Sequence, residues 1–323
     1  VYDETLAKEA LETAKCADKV VVFAGLPDSF ESEGYDRSHM CLPGCQNRLI
    51  EEILSVQSEV IIVLHNGSPV EMPWLSKVKG VLEAYLGGQA VGEAVADLLY
   101  GRACPCGKLA ESMPYKLSDN PSHLSFGDGE NVRYQEGIFV GYRYYDAKEM
   151  PVAFPFGYGL SYTTFAYDHL RMDKSDITNS DMVKVSVDVT NTGDVEGKEI
   201  VQLYVGDLTC AARRPVRELK GYEKVSLLPG ETKTVNFTLD YRSFAWYNEA
   251  IHDWYAASGD YEILIGASSR DLRLSGKIHL TSQRTLPYKV HMNTTLGELL
   301  TDQRTAGYVE DFKKKLSTIF AAP

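Results

Sequence analysis

Residues 19–25, KVVVFAG, form a short β-branched run, and the polar stretch LPDSFESEGYDR at 26–37 follows it directly. Upstream, ETLAKEALETAKC at 4–16 puts Leu6, Ala10, Leu11 and Ala14 on one face of a helix, so the order is helix, buried strand, polar loop. The order then repeats. Pro43-Gly44 open a helix that runs through Ser55 with Leu49, Ile50, Ile53 and Leu54 as its apolar stripe, and EVIIVLHNG at 59–67 supplies the next strand. VLEAYLGG (81–88), the helix QAVGEAVADLLYG (89–101) and KLAESMP (108–114) continue the alternation. Four rounds of β and α predict a mostly parallel sheet with helices on both faces, a three-layer α/β/α sandwich over residues 1–160.

From about Phe165 the hydrophobic period becomes two. MVKVSVDVTNTG (182–193) places Val183, Val185, Val187 and Val189 on one face, and IVQLYVGD, KTVNFTLD and DYEILIGAS alternate likewise between Gly, Pro and Asn turns. An antiparallel β-sandwich similar to an immunoglobulin or fibronectin type III module is expected over 161–285, with the four valines facing its core. The aromatic-rich stretch from Tyr115 to Tyr162 reads as an ordered connection packed between the halves, and Tyr142, Tyr144, Tyr145, Tyr158 and Tyr162 as its packing residues. Residues 286–323 read as a polar tail with one helix near 308–320, on which Val309, Phe312, Leu316 and Phe320 recur at helical spacing.

The chain has 323 residues, 44% of them hydrophobic and 24% charged, the balance of a globular protein of about two domains. Its 45 acidic against 33 basic side chains leave a net charge of −12, which argues against nucleic acid and against an anionic membrane as partners. No apolar run reaches the roughly 20 residues of a membrane span. The start, Val1-Tyr2-Asp3-Glu4, carries no initiator Met and no export signal, so the expectation is a piece of a longer precursor placed in the cytoplasm. Cys16, Cys41, Cys45, Cys104, Cys106 and Cys210 lack zinc-site spacing and read as reduced thiols; no His motif accompanies them, so neither metal nor cofactor is expected.

The loop after residue 25 lies at the carboxyl end of a parallel strand, where open α/β sheets place ligand groups. It lacks the G-x-G-x-x-G spacing a dinucleotide needs. It offers Asp28, Glu31, Glu33 and Asp36 beside Arg37. Such a cluster is either a solvated acidic loop or a set of carboxylates in which one is held protonated for general acid work. Asn66-Gly67-Ser68-Pro69 reads as a structural turn at the end of the next strand.

ESEGYDR (31–37), LPGCQNRLIEEIL (42–54), VIIVLHNGSPVEMPWL (60–75), AYLGGQAVGEAVADLLYGRACPCGKLAESMP (84–114), GIFVGYRYYD (137–146) and PFGYGLSYTTF (155–165) together resemble the non-barrel part of glycoside hydrolase family 3. VQLYVGD, RPVRELKGYEKVSLLPGE and GDYEILIGASS resemble that family's fibronectin-like module. The resemblance implies a retaining β-glycosidase, foremost a β-glucosidase acting on terminal β-D-glucosyl residues, and it maps the general acid/base carboxyl onto Glu33 of Glu33-Gly34-Tyr35-Asp36-Arg37. Phe30 then either walls the acceptor side of the sugar pocket or simply packs, while Asp36 and Arg37 support the loop as a local ion pair. The nucleophilic Asp of the family belongs to a (β/α)8 barrel of about 250 residues, for which the α/β half of this chain is too short; the usual Ser-Asp-Trp motif is absent. The implied partners are therefore a β-glucoside or short oligosaccharide and a barrel in the same protein or a second chain, with homo-oligomerisation left open. The alternatives are a β-xylosidase or α-L-arabinofuranosidase of the family and, from another class, a non-catalytic carbohydrate-binding module.

Overall fold

The computed structural model describes residues 2–127, 129–209, 212–287 and 290–320. Helix α1 (Glu4–Cys16) begins where the Asp3 carboxylate accepts hydrogen bonds from the Thr5 and Leu6 amides, satisfying two amides that the first turn leaves free. Then follow β1 (Val20–Gly25), α2 (Gly44–Val56), β2 (Val60–His65), β3 (Gly80–Glu83), α3 (Val91–Leu99) and the short α4 (Tyr142–Ala147). The three strands form one parallel sheet in the order β1-β2-β3, with Val20 opposite Val60 and Ile61 opposite Gly80. Val60, Ile62, Val63 and Leu64 are all buried, so β2 is covered on both faces, as the middle layer of an α/β/α arrangement requires. The core gathers Ala14, Ile50, Ile53, Ile62, Leu64, Val70, Trp74 and Met113.

β1 and β2 approach so closely at their carboxyl ends that a Cβ on Gly25 would lie 2.0 Å from the His65 carbonyl oxygen. Only glycine fits there. The Gln46 side chain closes the same point, accepting from the Gly25 amide and donating to its carbonyl, both at 2.9 Å. β1 is an edge strand of the sheet, and Val21 and Phe23 on one of its faces remain exposed.

The expectation for 108–114 needs correction. KLAESMP is not a strand; Met113 makes only an isolated antiparallel bridge with Phe154. The chain there is tied through Met113 to residues 153–154 and through Leu109 to 157–158, on a segment returning toward the β-sandwich, and Pro114 has no amide to continue the pairing.

The second half contains β4 (Phe165–Met172), β5 (Asp176–Thr178), β6 (Val183–Asn191), β7 (Gly197–Asp207), β8 (Glu218–Leu227), β9 (Thr232–Leu239), α5 (Tyr241–Phe244), β10 (Trp246–Asn248), β11 (Asp253–Tyr255), β12 (Gly259–Gly266) and β13 (Leu272–Thr281). A five-stranded sheet, β5-β13-β12-β7-β8, accompanies a three-stranded one, β4-β6-β9. Val183, Val185, Val187 and Val189 are buried, as the alternation predicted, and so are Val235, Phe237 and Leu239 on β9, which pairs with β6.

The α/β and β-sandwich halves belong to one compact unit. Tyr142 stacks on Phe156 at 4.6 Å, and its hydroxyl accepts from the Leu219 amide at 2.9 Å. Gln202 donates to the carbonyls of Gly157 and Ala267, at 3.0 and 2.8 Å. Tyr142 and Tyr145 thus pack as expected, whereas Tyr162 is exposed. The expectation that the whole connection packs also fails for part of it: Leu124, Phe126, Val132 and Tyr134 face solvent from turns that make few long-range bonds.

The hairpin β10–β11, which lies within the range 161–285 expected for the sandwich, groups with the chain from Gln283 onward in a second compact unit. Within it, Arg284 pairs with Asp253 at 2.9 Å, Thr295 and Glu298 form a capping box on α6 (Leu296–Thr301), and α7 (Ala306–Phe320) begins two residues before the expected helix. Val309 is buried and Phe312 exposed, while the Phe320 side chain and Cys210 lie outside the described residues. No helix among the described residues is long and apolar enough to cross a membrane.

Candidate active site

The carboxyl ends of β1, β2 and β3 release three segments side by side: the acidic loop after Gly25, the turn 66–69 and the stretch beginning at Ala84. The loop leaves with the Leu26 amide donating to the His65 carbonyl at 2.9 Å and returns through a Cys41–Glu71 bridge, so it runs alongside the segment following β2. Gly34 takes a φ of +93° in the middle of it, a conformation that a side chain would strain. The Tyr35 hydroxyl donates to the Asp28 carbonyl at 2.6 Å and closes the loop on itself.

Glu31 is not free. Its carboxylate accepts from the Gly67 amide at 2.6 Å and from the Ser68 hydroxyl. Arg37 is bound to the same turn, donating from Nη2 to Ser68 Oγ and to the Pro69 carbonyl, each at 2.9 Å. This corrects the expected Asp36–Arg37 ion pair: neighbouring side chains on an extended loop diverge, and Arg37 turns toward the 66–69 turn while Asp36 stays exposed. The Arg37 Nη1 atom is buried without an acceptor among the described residues. Glu33, between these two fastened positions, is exposed and makes no hydrogen bond among the described residues. Phe30 is half-buried, its ring centroid 6.1 Å from that of His39 at a tilt of 60°.

Beneath the turn lies a cluster that the sequence reading missed. Asn66 is fully buried; its Nδ2 donates to the Ser68 carbonyl at 3.0 Å and reaches Glu83 Oε2 at 3.5 Å. Burial pushes the Glu83 carboxyl up to about 7, with Glu111 and Glu31 adding repulsion against the relief given by the Tyr85 amide and Asn66. Burial raises Glu111 as well, and Tyr85, in the left-handed region at φ +46°, donates its hydroxyl to Glu111 at 3.2 Å. The signal available in the sequence was a glutamate inside the apolar run VLEAYL, where an exposed strand position would be the ordinary expectation. Among the described residues no set of His, Cys, Asp and Glu gathers as metal ligands.

The loop is held to the sheet at both sides and presents three exposed carboxyls that make no hydrogen bond among the described residues, Asp28, Glu33 and Asp36, whereas Glu31 is bound to the turn. Residues 3–162 match the Glycosyl hydrolase family 3 C-terminal domain, and residues 199–269 the Fibronectin type III-like domain. The chain is 53% identical over 316 residues to thermostable beta-glucosidase B of Acetivibrio thermocellus, covering 98% of this chain and 42% of that protein. It is 46% identical over 272 residues to an exo-alpha-(1->6)-L-arabinopyranosidase of Bifidobacterium breve, covering 84% of this chain and 36% of that protein. The crystal structure of a Bifidobacterium adolescentis GH3 beta-glucosidase superposes with a TM-score of 0.86 at 42% identity, over 95% of this chain and 45% of that one. The chain thus spans less than half the length of these relatives. On the match of both its halves, in order, it belongs to glycoside hydrolase family 3, of which it comprises the C-terminal α/β domain and the fibronectin type III-like domain.

Proposed function

We propose that this chain supplies the general acid/base, Glu33, of a retaining β-glucosidase whose nucleophile resides on a (β/α)8 barrel. The observation that carries the reading is the place of Glu33 in the Glu33-Gly34-Tyr35-Asp36-Arg37 string of a family 3 C-terminal domain, joined to its freedom: Glu31 is consumed by the 66–69 turn, while Glu33, like Asp28 and Asp36, stands exposed and unbonded. A carboxyl that must first give a proton to the leaving oxygen and then take one from water has to be free to reach both. Phe30 on the same loop offers an apolar surface for the acceptor sugar, and Arg37 serves as support rather than chemistry. The β-glucosidase names of the relatives favour glucose as the glycon. The arabinopyranosidase relatives favour, as a second reading, the same chemistry on a pentopyranose that lacks the hydroxymethyl arm.

The test uses the enzyme assembled with its barrel. Glu33→Gln should lower turnover of cellobiose by roughly 10²- to 10⁴-fold, the usual cost of losing a general acid. Glycosylation by dinitrophenyl glucoside, whose leaving group needs no proton, should be much less affected, and azide should rescue the second step with formation of a β-glycosyl azide. Equal slowing of both substrates with no azide effect would refute the assignment. Nitrophenyl glucoside, xyloside and arabinopyranoside compared side by side decide the glycon.

A further inference from the structure

We propose that Glu31 is a positioning residue for Glu33, fastening one side of the acid/base loop to the 66–69 turn while Arg37 fastens the other side through the same Ser68 hydroxyl. The inference rests on the assignment of Glu33 made above. A serine hydroxyl has one proton to give and lone pairs to receive. Here the proton goes to Glu31 Oε1 and a lone pair takes Arg37 Nη2 at 2.9 Å, so each bond fixes the rotamer that the other needs. Glu31 also takes the Gly67 amide at 2.6 Å, and Arg37 reaches the Pro69 carbonyl at 2.9 Å. Two charged side chains of opposite sign are thereby seated on one short turn, and bonds of this charge-assisted kind are the stronger class.

The turn itself is anchored from below. Asn66, fully buried, holds the Ser68 carbonyl at 3.0 Å. Gly67 leaves little spare room above it, because a Cβ there would meet Glu31 Oε2 at 3.1 Å. Between the two fastenings, residues 32–36 are exposed, and the Tyr35 hydroxyl bond to the Asp28 carbonyl is what ties them internally. Without the Ser68 hydroxyl each side would keep one bond, Glu31 to the Gly67 amide and Arg37 to the Pro69 carbonyl, and the position of the Glu33 carboxyl would rest on these two, no longer linked to each other, and on the Tyr35 tie. Displacement of a catalytic group by about 1 Å costs on the order of 10²-fold in rate.

The experiment compares Ser68→Ala, Ser68→Thr, Glu31→Gln and Glu33→Gln in the enzyme assembled with its barrel. It reads kcat and KM on cellobiose, the pH dependence of kcat/KM, and hydrogen exchange of the amides at 32–37. The expected result is that Ser68→Ala and Glu31→Gln lower kcat by about 10- to 10²-fold with KM changed little. Both should keep the basic limb of the pH profile, since the Glu33 carboxyl is retained, and should exchange the 32–37 amides at least several-fold faster. Ser68→Thr, which keeps the hydroxyl, should restore both rate and protection. Glu33→Gln should abolish the basic limb without loosening the loop. If Glu33→Gln behaves so while Ser68→Ala and Glu31→Gln stay within twofold of the parent, or lose rate with unchanged exchange, the positioning role is overturned and the Glu33 assignment stands. If Glu31→Gln abolishes the basic limb and Glu33→Gln retains it, Glu31 is itself the acid/base and both readings fall. Should Glu31→Gln not fold, Ser68→Ala, which removes one hydroxyl from a half-buried turn, gives the same readouts.

Discussion

Lys108 and Glu199 form an ion pair at 3.1 Å between the α/β half and strand β7, and both side chains are nearly out of water, 11% and 5% exposed. Lys108 also donates to the Gly159 carbonyl at 2.9 Å, while Glu199 accepts from the Tyr167 hydroxyl at 3.0 Å. The Arg273 guanidinium lies 4.6 Å from the Tyr167 ring centroid, so the pair sits within a shared network. The two halves are joined by chemistry as well as by apolar packing.

Removing one partner should therefore be costly. Lys108→Ala leaves the Glu199 carboxylate buried without its cation and should destabilise the chain by about 3–5 kcal/mol. Replacing both by well-packed apolar residues, Lys108→Met with Glu199→Leu, should cost clearly less than either single change. Urea unfolding midpoints at constant slope check this, and a double variant weaker than Lys108→Ala would contradict it.

Glu83 should make stability pH-dependent in the direction opposite to a salt-bridged acid. Its carboxyl is held up to about 7 in the folded chain by burial against an ordinary value of 4.5, so the folded state binds the extra proton in that window. Stability then falls as pH rises from about 4.5 through about 7, by up to roughly 3 kcal/mol at 1.36 kcal/mol per pH unit. Glu83→Gln should remove most of this slope and stabilise the protein at pH 8. Unfolding curves for the two proteins at pH 5 and pH 8 measure it, and parallel pH dependences would show that Glu83 is not the titrating group.

Gly25→Ala tests the closeness of β1 and β2. The added methyl would sit 2.0 Å from a backbone oxygen, which cannot swing aside as a side chain tip could. Destabilisation of about 2–3 kcal/mol or more is expected from such overpacking. Gly44→Ala, where a Cβ meets nothing within 4 Å, should change stability far less. Similar unfolding midpoints for the two variants would show that the strands can part at no cost.

By itself the 323-residue chain should fold and show no measurable hydrolysis of nitrophenyl glucoside. On the proposed assignment the loop supplies one member of the carboxylate pair that retention requires, the other standing about 5 to 5.5 Å from it on the barrel. Assay of the purified chain, with circular dichroism to establish folding, decides it. Turnover abolished by Glu33→Gln would mean that a nucleophile lies within these residues.

The amino-acid order alone determined a good deal. Val183, Val185, Val187 and Val189 announced a two-residue period and are buried, because a strand with one wet face can satisfy that pattern in only one register. The helical stripes at 4–16 and 44–55 and the β-branched runs at 20–25 and 60–65 likewise became α1, α2, β1 and β2, since local period and core burial agree there. Residues 108–114 did not follow: a short apolar run has the same pattern whether it joins the parallel sheet or not, and here Leu109 and Met113 bond instead to the returning segment 153–158. What the sequence could not show was which of the clustered carboxylates is bound. Glu31, Glu33 and Asp36 are interchangeable as charges in a string, and Ser68 and Gly67 lie more than thirty residues away. Tertiary structure decided it by setting the ends of β1 and β2 side by side. There the hydroxyl and amide of the turn bind Glu31 and leave Glu33 exposed with Asp28 and Asp36, and a buried Asn66 and Glu83 support the turn from below.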